Sequence, residues 1–258
     1  MIQSNVFAAA GVAILGLMVS LWAVSLIIKD ASITDMFWGG GFALAALVAL
    51  TVAASITLFN FTIALLVILW GARLFFHLGA RWLKEGAEDY RYQKMRAYHG
   101  RNFWWRSFFV VFALQGTLMY LVATPYLAAL YMGGQAAFPL LASGGMVIAF
   151  AGLVVETLAD RQLTKFRATA QPDEILSDGW WARTRHPNYF GDALFWWGIY
   201  FAVVATIPAA FWMIYAPALM NFLLVKISGA VMLERRLIKK PAYADYMQKT
   251  NRFIPRLF

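Results

Sequence analysis

The chain has 258 residues, no cysteine, 62% apolar residues and only 14% charged ones, against roughly 45–50% and about 25% in soluble domains. That composition excludes a water-soluble globular domain, and the missing cysteine excludes a disulfide, a thiolate metal site or a cysteine nucleophile. A formal net charge of +9 would suggest nucleic acid in a soluble protein, but beside apolar runs it is the charge that orients spans, and no nucleic-acid partner is expected.

Apolar stretches near the roughly 20 residues that cross a bilayer recur along the whole length. They predict an all-α integral membrane protein of about seven transmembrane helices, forming a single polytopic domain over residues 1–258. The first run, 6–28, lacks a basic region before it and a small-residue cleavage motif after it, so it reads as a span rather than a signal peptide. The following spans are placed at 36–54, 57–78, 107–132 and 138–158. The last two, 193–207 and 209–231, are separated only by the Ile207-Pro208 step. Proline removes a backbone donor there, and a re-entrant hairpin competes with two full crossings.

The 22 Lys and Arg residues test this order independently, and all of them end or follow spans one, three, five and seven. They are Lys29, the group from Arg73 to Arg106, the group from Arg161 to Arg185, and the group from Lys226 to Arg256. The opposite connections, 54–57, 133–137 and Pro208, carry none. Because cytoplasmic ends collect positive charge, the N-terminus is expected outside and the C-terminus in the cytoplasm. Trp104 and Trp105 before span four, and Trp180 and Trp181 in the long loop, suit the lipid headgroup zone. No internal repeat and no low-complexity run interrupts the pattern.

Ionisable groups near spans are costly and therefore informative. After span five, Glu156, Asp160, Lys165 and Arg167 recur at one- or two-turn helical spacing and form one polar stripe. Read blandly, that stripe is a solvated helical extension. The loop that follows ends in Arg183-Thr184-Arg185-His186-Pro187-Asn188-Tyr189, immediately before span six. Pro187 should keep His186 out of the helical region and open the next helix, whose free N–H groups, with Arg183, Arg185 and His186, suit an anion such as phosphate or carboxylate. Asn188 and Tyr189 add neutral hydrogen bonds. Asp35 lies at the edge of span two, where Lys29 is its nearest partner in sequence. Gly39-Gly40-Gly41 lacks the strand and spacing of a dinucleotide fingerprint and reads as a site of close helix contact. Glu88 and Asp89 with Arg91 read as solvated loop pairs. His77 and His99 read as structural, and no metal site is expected.

The run Arg185-His186-Pro187-Asn188-Tyr189-Phe190-Gly191-Asp192, followed by Glu234-Arg235-Arg236-Leu237 and then Tyr243, Tyr246, Phe253, Ile254 and Pro255, resembles the C-terminal region of the steroid 5α-reductase superfamily. The likeness covers about 156–255. Asp35-Met36-Phe37-Trp38-Gly39 and Glu88-Asp89-Tyr90-Arg91-Tyr92 resemble N-terminal marks of its bacterial subgroup. That resemblance implies a bacterial inner-membrane enzyme that binds NADPH at the cytoplasmic face and reduces a lipid or steroid carbon–carbon double bond. Position by position, it implies cofactor contacts at Arg73, Arg81, Asp160, Arg167, Arg185, His186, Asn188, Tyr189, Asp192 and Tyr246, with Arg91, Lys94 or Arg96 near an adenosine 2′-phosphate. It further implies catalytic roles for Asp35 and for Trp70, which stands where steroid reductases have a tyrosine. Indole can donate a hydrogen bond but no proton, so a 3-keto steroid is not the expected substrate. If burial keeps Asp35 protonated, it could donate to a developing enolate oxygen.

The same Arg-His-Pro-x-Tyr-x-Gly and Glu-Arg pattern is similar to isoprenylcysteine carboxyl methyltransferases and related phospholipid methyltransferases, which implies S-adenosylmethionine as the alternative cofactor. A non-enzymatic transporter or lipid-binding protein is the third class. In every case the expected partners are membrane lipids and a hydrophobic molecule arriving from the bilayer.

Overall fold

The computed structural model describes residues 5–133, 137–171, 173–227, 234, 237–238 and 240–256. Among the described residues every regular element is helical and there is no strand. Among the described residues six helical segments are long and apolar enough to cross a membrane: Val6–Ile28, Ile33–Val52, Leu58–Glu85, Tyr90–Met132, Pro139–Thr169 and Pro208–Ile227. The sixth expected span, 193–207, lies, save for Ile207, in a further helix, Pro187–Thr206, whose polar opening turns dilute its hydropathy. Where the sequence reads as one domain, the chain divides into two compact units, 1–136 and 137–258.

The first unit contains α1 (Val6–Ile28), α2 (Ile33–Val52), α3 (Leu58–Glu85) and a short α4 (Tyr90–His99). They are followed by α5 (Phe103–Ser107) and α6 (Leu114–Met132), which a π-helical turn joins into one rod. Local chemistry sets the ends. Asn5 accepts from the Ala8 N–H at 3.2 Å to start α1, and Lys29, in the left-handed region at φ 57°, stops it. Thr57 and Asn60 form a capping box at the start of α3. Helix α3 runs on past the expected boundary at 78 until Gly86, at φ 63°, turns the chain.

Helices α2 and α3 meet through Gly39 and Gly71. A Cβ on Gly39 would lie 2.6 Å from the Gly71 carbonyl oxygen and 2.8 Å from the Leu74 Cβ, so no side chain fits and the backbones approach directly. The close-contact reading of this glycine run is therefore correct.

The second unit contains α7 (Pro139–Thr169), α8 (Trp180–Arg183), α9 (Pro187–Thr206), α10 (Tyr215–Phe222) and α11 (Pro241–Lys249). Helices α7 and α9 run antiparallel and touch through four glycines. Gly145 faces Gly198 and Ala202, while Gly152 faces Gly191 and Phe195, and a Cβ on any of the four would enter the opposite backbone. This register continues past the glycines: Glu156 lies against Gly191, and one turn further Asp160 meets Asn188. The break expected at Ile207-Pro208 is present, since Ile207 is non-helical at φ −126° and ψ 82° and a 3₁₀ segment, Pro208–Ile214, follows. The Tyr200 hydroxyl donates to the Phe211 carbonyl at 2.7 Å and folds that segment back onto α9. The last part of the expected span 209–231, and the basic residues Arg235, Arg236 and Lys239, lie outside the described residues.

Candidate functional site

In the second unit, Pro187 occupies the first turn of α9 and His186 is held out of the helix at φ −139° and ψ 62°, as the His-Pro step predicts. One residue on, Asn188 donates from Nδ2 to Asp160 Oδ1 at 3.0 Å. A carboxylate can only accept, which fixes the orientation of the amide. The other end of the amide, Oδ1, is buried with no hydrogen-bond partner among the described residues. Asp160 and Asp192 are themselves buried, at 6% and 5% exposure. The end of the α7–α9 pair is thus rich in acceptors and suited to bind N–H or O–H donors. The polar stripe on α7 splits: Glu156 and Asp160 turn inward, while Arg161, Lys165 and Arg167 are exposed, as is Arg183 on the loop.

Arg185 and His186 do not present their charge to solvent as expected of an open anion site. Both are buried around Glu234, which lies 3.3 Å from Arg185 Nε, 3.1 Å from His186 Nε2 and 2.9 Å from Arg252 Nη2. Burial acts to raise the Glu234 pKa, but the His186 hydrogen bond and the Arg185 and Arg252 charges prevail and hold it below the usual glutamate range. Tyr189 stacks on the His186 ring at 5.4 Å between centroids and 10° between planes.

Backbone and hydroxyl bonds fasten the same loop to the C-terminal segment. Arg185 N–H donates to the Asn251 carbonyl at 2.9 Å, the Thr184 hydroxyl to the Phe253 carbonyl at 3.0 Å, and Arg256 N–H to the Arg183 carbonyl at 3.0 Å. The Tyr246 hydroxyl donates to the Trp181 carbonyl, so its proton serves the loop, and burial raises its pKa. Tyr243, buried beside Glu234, is pushed up to about 12. Trp181, expected as an interfacial anchor, is instead buried, with its indole donating to the Ala159 carbonyl at 3.3 Å.

Asp35, Trp70, Arg73 and Arg81 belong to the first unit. Asp35 pairs with Arg91 rather than with Lys29: Oδ2 accepts from Arg91 and Oδ1 from the Tyr92 hydroxyl. Gln115 donates to the Tyr92 oxygen at 3.1 Å and accepts from the Thr34 hydroxyl at 3.2 Å. Both Asp35 oxygens are acceptors here, so the donor role expected of a protonated Asp35 would require Arg91 or Tyr92 to withdraw. Arg91 also bonds Asp89 at 2.9 Å. Burial acts to raise the Asp89 pKa, but bonds from Arg91 outweigh it and leave the value lowered. Arg96 is bidentate on Glu88, at 2.8 and 3.0 Å. These are not solvated loop pairs, since the Glu88 side chain is 9% exposed.

Trp70 is fully buried, its ring edge-on to Phe42 at 5.5 Å. Arg73 is half-buried, and Arg81 bonds Glu85 at 2.7 Å with both side chains about half exposed. The structure thus brings together Asp160 with Asn188, and Arg185 with His186 and Tyr189. Sequence reasoning missed Tyr92, Gln115, Glu234 and Thr184 as partners. A glutamine within an apolar span and one of only two acids in a basic C-terminal stretch were the available signals.

No solved structure matches this chain. It is 28% identical over 218 residues to a protein of Schizosaccharomyces pombe described as "Uncharacterized protein C594.04c", covering 75% of this chain and 62% of that one. The chain therefore spans under two thirds of the length of this curated relative. Residues 21–250 match the family described as "Protein of unknown function (DUF1295)", and with nearly the whole chain inside that match, the protein belongs to the DUF1295 family.

Proposed function

We propose that the protein is an NADPH-dependent reductase of a carbon–carbon double bond in a lipid or steroid-like substrate, embedded in a membrane with about seven spans. The N-terminus is outside, the C-terminus cytoplasmic, and the membrane is a bacterial inner membrane. The observation that carries this reading is the Asp160–Asn188 pair. Two residues 28 positions apart, both implied as cofactor contacts by the likeness to steroid 5α-reductases, lie 3.0 Å apart. The residues fit the group: Asn188 Oδ1, which has no hydrogen-bond partner among the described residues, accepts an amide N–H, Asp160 accepts ribose or amide protons, and exposed Arg161, Lys165, Arg167 and Arg183 supply cations for phosphates. When bound, NADPH would supply the hydride, while the protein supplies position and electrostatics. In this reading Arg185 and His186 act by holding the loop before α9, and Asp35 and Trp70 of the first unit keep the catalytic roles that the likeness to steroid 5α-reductases implies.

Purified protein in mild detergent should be stabilised by NADPH more than by NADH or S-adenosylmethionine, by about 2.7 kcal/mol at a hundredfold excess over Kd. Asp160→Ala and Asn188→Ala should each weaken NADPH binding by about 1.5–3 kcal/mol, the scale of a charge-assisted bond. Stabilisation by S-adenosylmethionine without any from NADPH would replace the reductase with a lipid methyltransferase.

A further inference from the structure

A second polar site lies in the first unit, apart from the residues assigned above. A cavity of about 390 Å³ opens where α1 and α3 end, with Ile28, Lys29 and Asp30 on one wall and Trp82, Leu83 and Glu88 on the other. Its volume is within the roughly 300–1,000 Å³ of small-molecule sites. The wall residues differ in how their charges are met. Glu88 is neutralised by the bidentate Arg96 and also accepts from the Ala31 N–H at 2.9 Å. Asp30 is held only by neutral donors: Ser32 N–H at 2.7 Å, the Ser32 hydroxyl, and the Trp82 indole at 2.8 Å. It makes no direct ion pair among the described residues, and the Arg96 guanidinium whose charge it feels is already engaged by Glu88 and the Lys29 carbonyl, so the carboxylate keeps room for a further cation. Lys29, next in sequence, is exposed and likewise has no carboxylate partner among the described residues.

The walls therefore carry one fixed anion and one adjacent cation, a pattern complementary to a zwitterion. Its position identifies the source. Residues 6–28 carry no charge and Lys29 is the first charge after them, so the cavity mouth coincides with the end of a membrane-length run. Ile27, Ile28 and Leu83 are exposed beside it, at 80%, 42% and 75%, offering an apolar track that a free metabolite would not use. We propose that this cavity binds the headgroup of a phospholipid bearing a primary amine. The ammonium donates hydrogen bonds to Asp30, the phosphate sits by Lys29, and the acyl chains follow Ile28 and Leu83. A quaternary choline has no N–H to give Asp30 and is bulkier, so the site distinguishes the two headgroups.

The test uses the whole protein in nanodiscs containing equal phosphatidylethanolamine and phosphatidylcholine, released and weighed by native mass spectrometry. Phosphatidylethanolamine should be retained over phosphatidylcholine by about tenfold, the ratio one charge-assisted bond supports. Asp30→Asn should abolish the preference while leaving some of both lipids. Lys29→Asn, whose side chain tolerates the left-handed backbone, should reduce retention of both and keep the preference. Because the two variants fail differently, a loss of fold in one leaves the other informative. Equal retention of the two lipids by the native protein, or an unchanged preference in Asp30→Asn, overturns the proposal. Competition by tail-free glycerophosphoethanolamine as strong as by dioctanoyl-phosphatidylethanolamine would assign the cavity to a soluble headgroup and overturn the lipid.

Discussion

Replacing Glu234 by Gln separates a buried charge from an exposed one. The carboxylate faces Arg185, whose side chain is 8% exposed, and Arg252, whose side chain is 47% exposed, with His186 between them. Gln fills almost the same space, so no cavity opens and the change is electrostatic: Arg185 stays buried without its counterion. Breaking a buried pair from one side costs about 3–5 kcal/mol. Arg252→Ala removes the half-exposed partner, and such pairs are worth about 0–1 kcal/mol. Equilibrium unfolding in mixed micelles, by denaturing detergent or heat, should rank Glu234→Gln well below Arg252→Ala. The same residue sets an acid limit. Its folded pKa lies below its ordinary value of 4.5, so its contribution is complete above that pH and is lost as pH falls through the folded value. Glu234→Gln should therefore be already weakened at neutral pH and lose less on acidification than the native protein. Equal costs for the two variants, or less than about 1 kcal/mol for Glu234→Gln, would refute the claim that this carboxylate holds the loop.

Gly152→Ala drives a Cβ into the α9 backbone and should cost about 1–3 kcal/mol, whereas Gly144→Ala, with nothing within 4 Å, should be neutral or stabilising by up to about 1 kcal/mol. Thermal unfolding of the two variants checks this, and equal behaviour would sink the proposed α7–α9 contact. Reporter fusions should place Arg91, Asp173 and Arg256 in the cytoplasm and Gly134 on the opposite side, and a cytoplasmic Gly134 would end the seven-span reading.

What could be read in advance was what depends on neighbours in sequence. Hydropathy located the long apolar helices to within several residues, because crossing a bilayer and forming a helix demand the same uninterrupted run. The His186-Pro187 step revealed where α9 begins, because proline constrains its own φ and the residue before it. Helix ends beyond the apolar core were misjudged: α3 continues to Glu85 and α7 to Thr169, since a helix outlasts its hydrophobic stretch wherever its polar residues are helix formers.

Partners brought together by the fold were beyond such reading. Asp35 has Lys29 six residues away, yet it bonds Arg91, 56 residues away, because α4 is carried to the start of α2 by a turn whose path depends on Gly86. Arg185 and His186 looked like a cationic surface because Glu234, their anion, is 48 residues beyond His186. The same argument explains the α7–α9 contact, and here a signal was available. Gly145 and Gly152, and Gly191 and Gly198, repeat at a seven-residue spacing that leaves each pair on one helix face. Two such faces can approach until their backbones touch, and the antiparallel register that satisfies both also brings Asp160 to Asn188. The small residues of this unit thus act before its polar ones. They fix the distance at which two helices pack, and that distance decides which side chains beyond the contact become a pair.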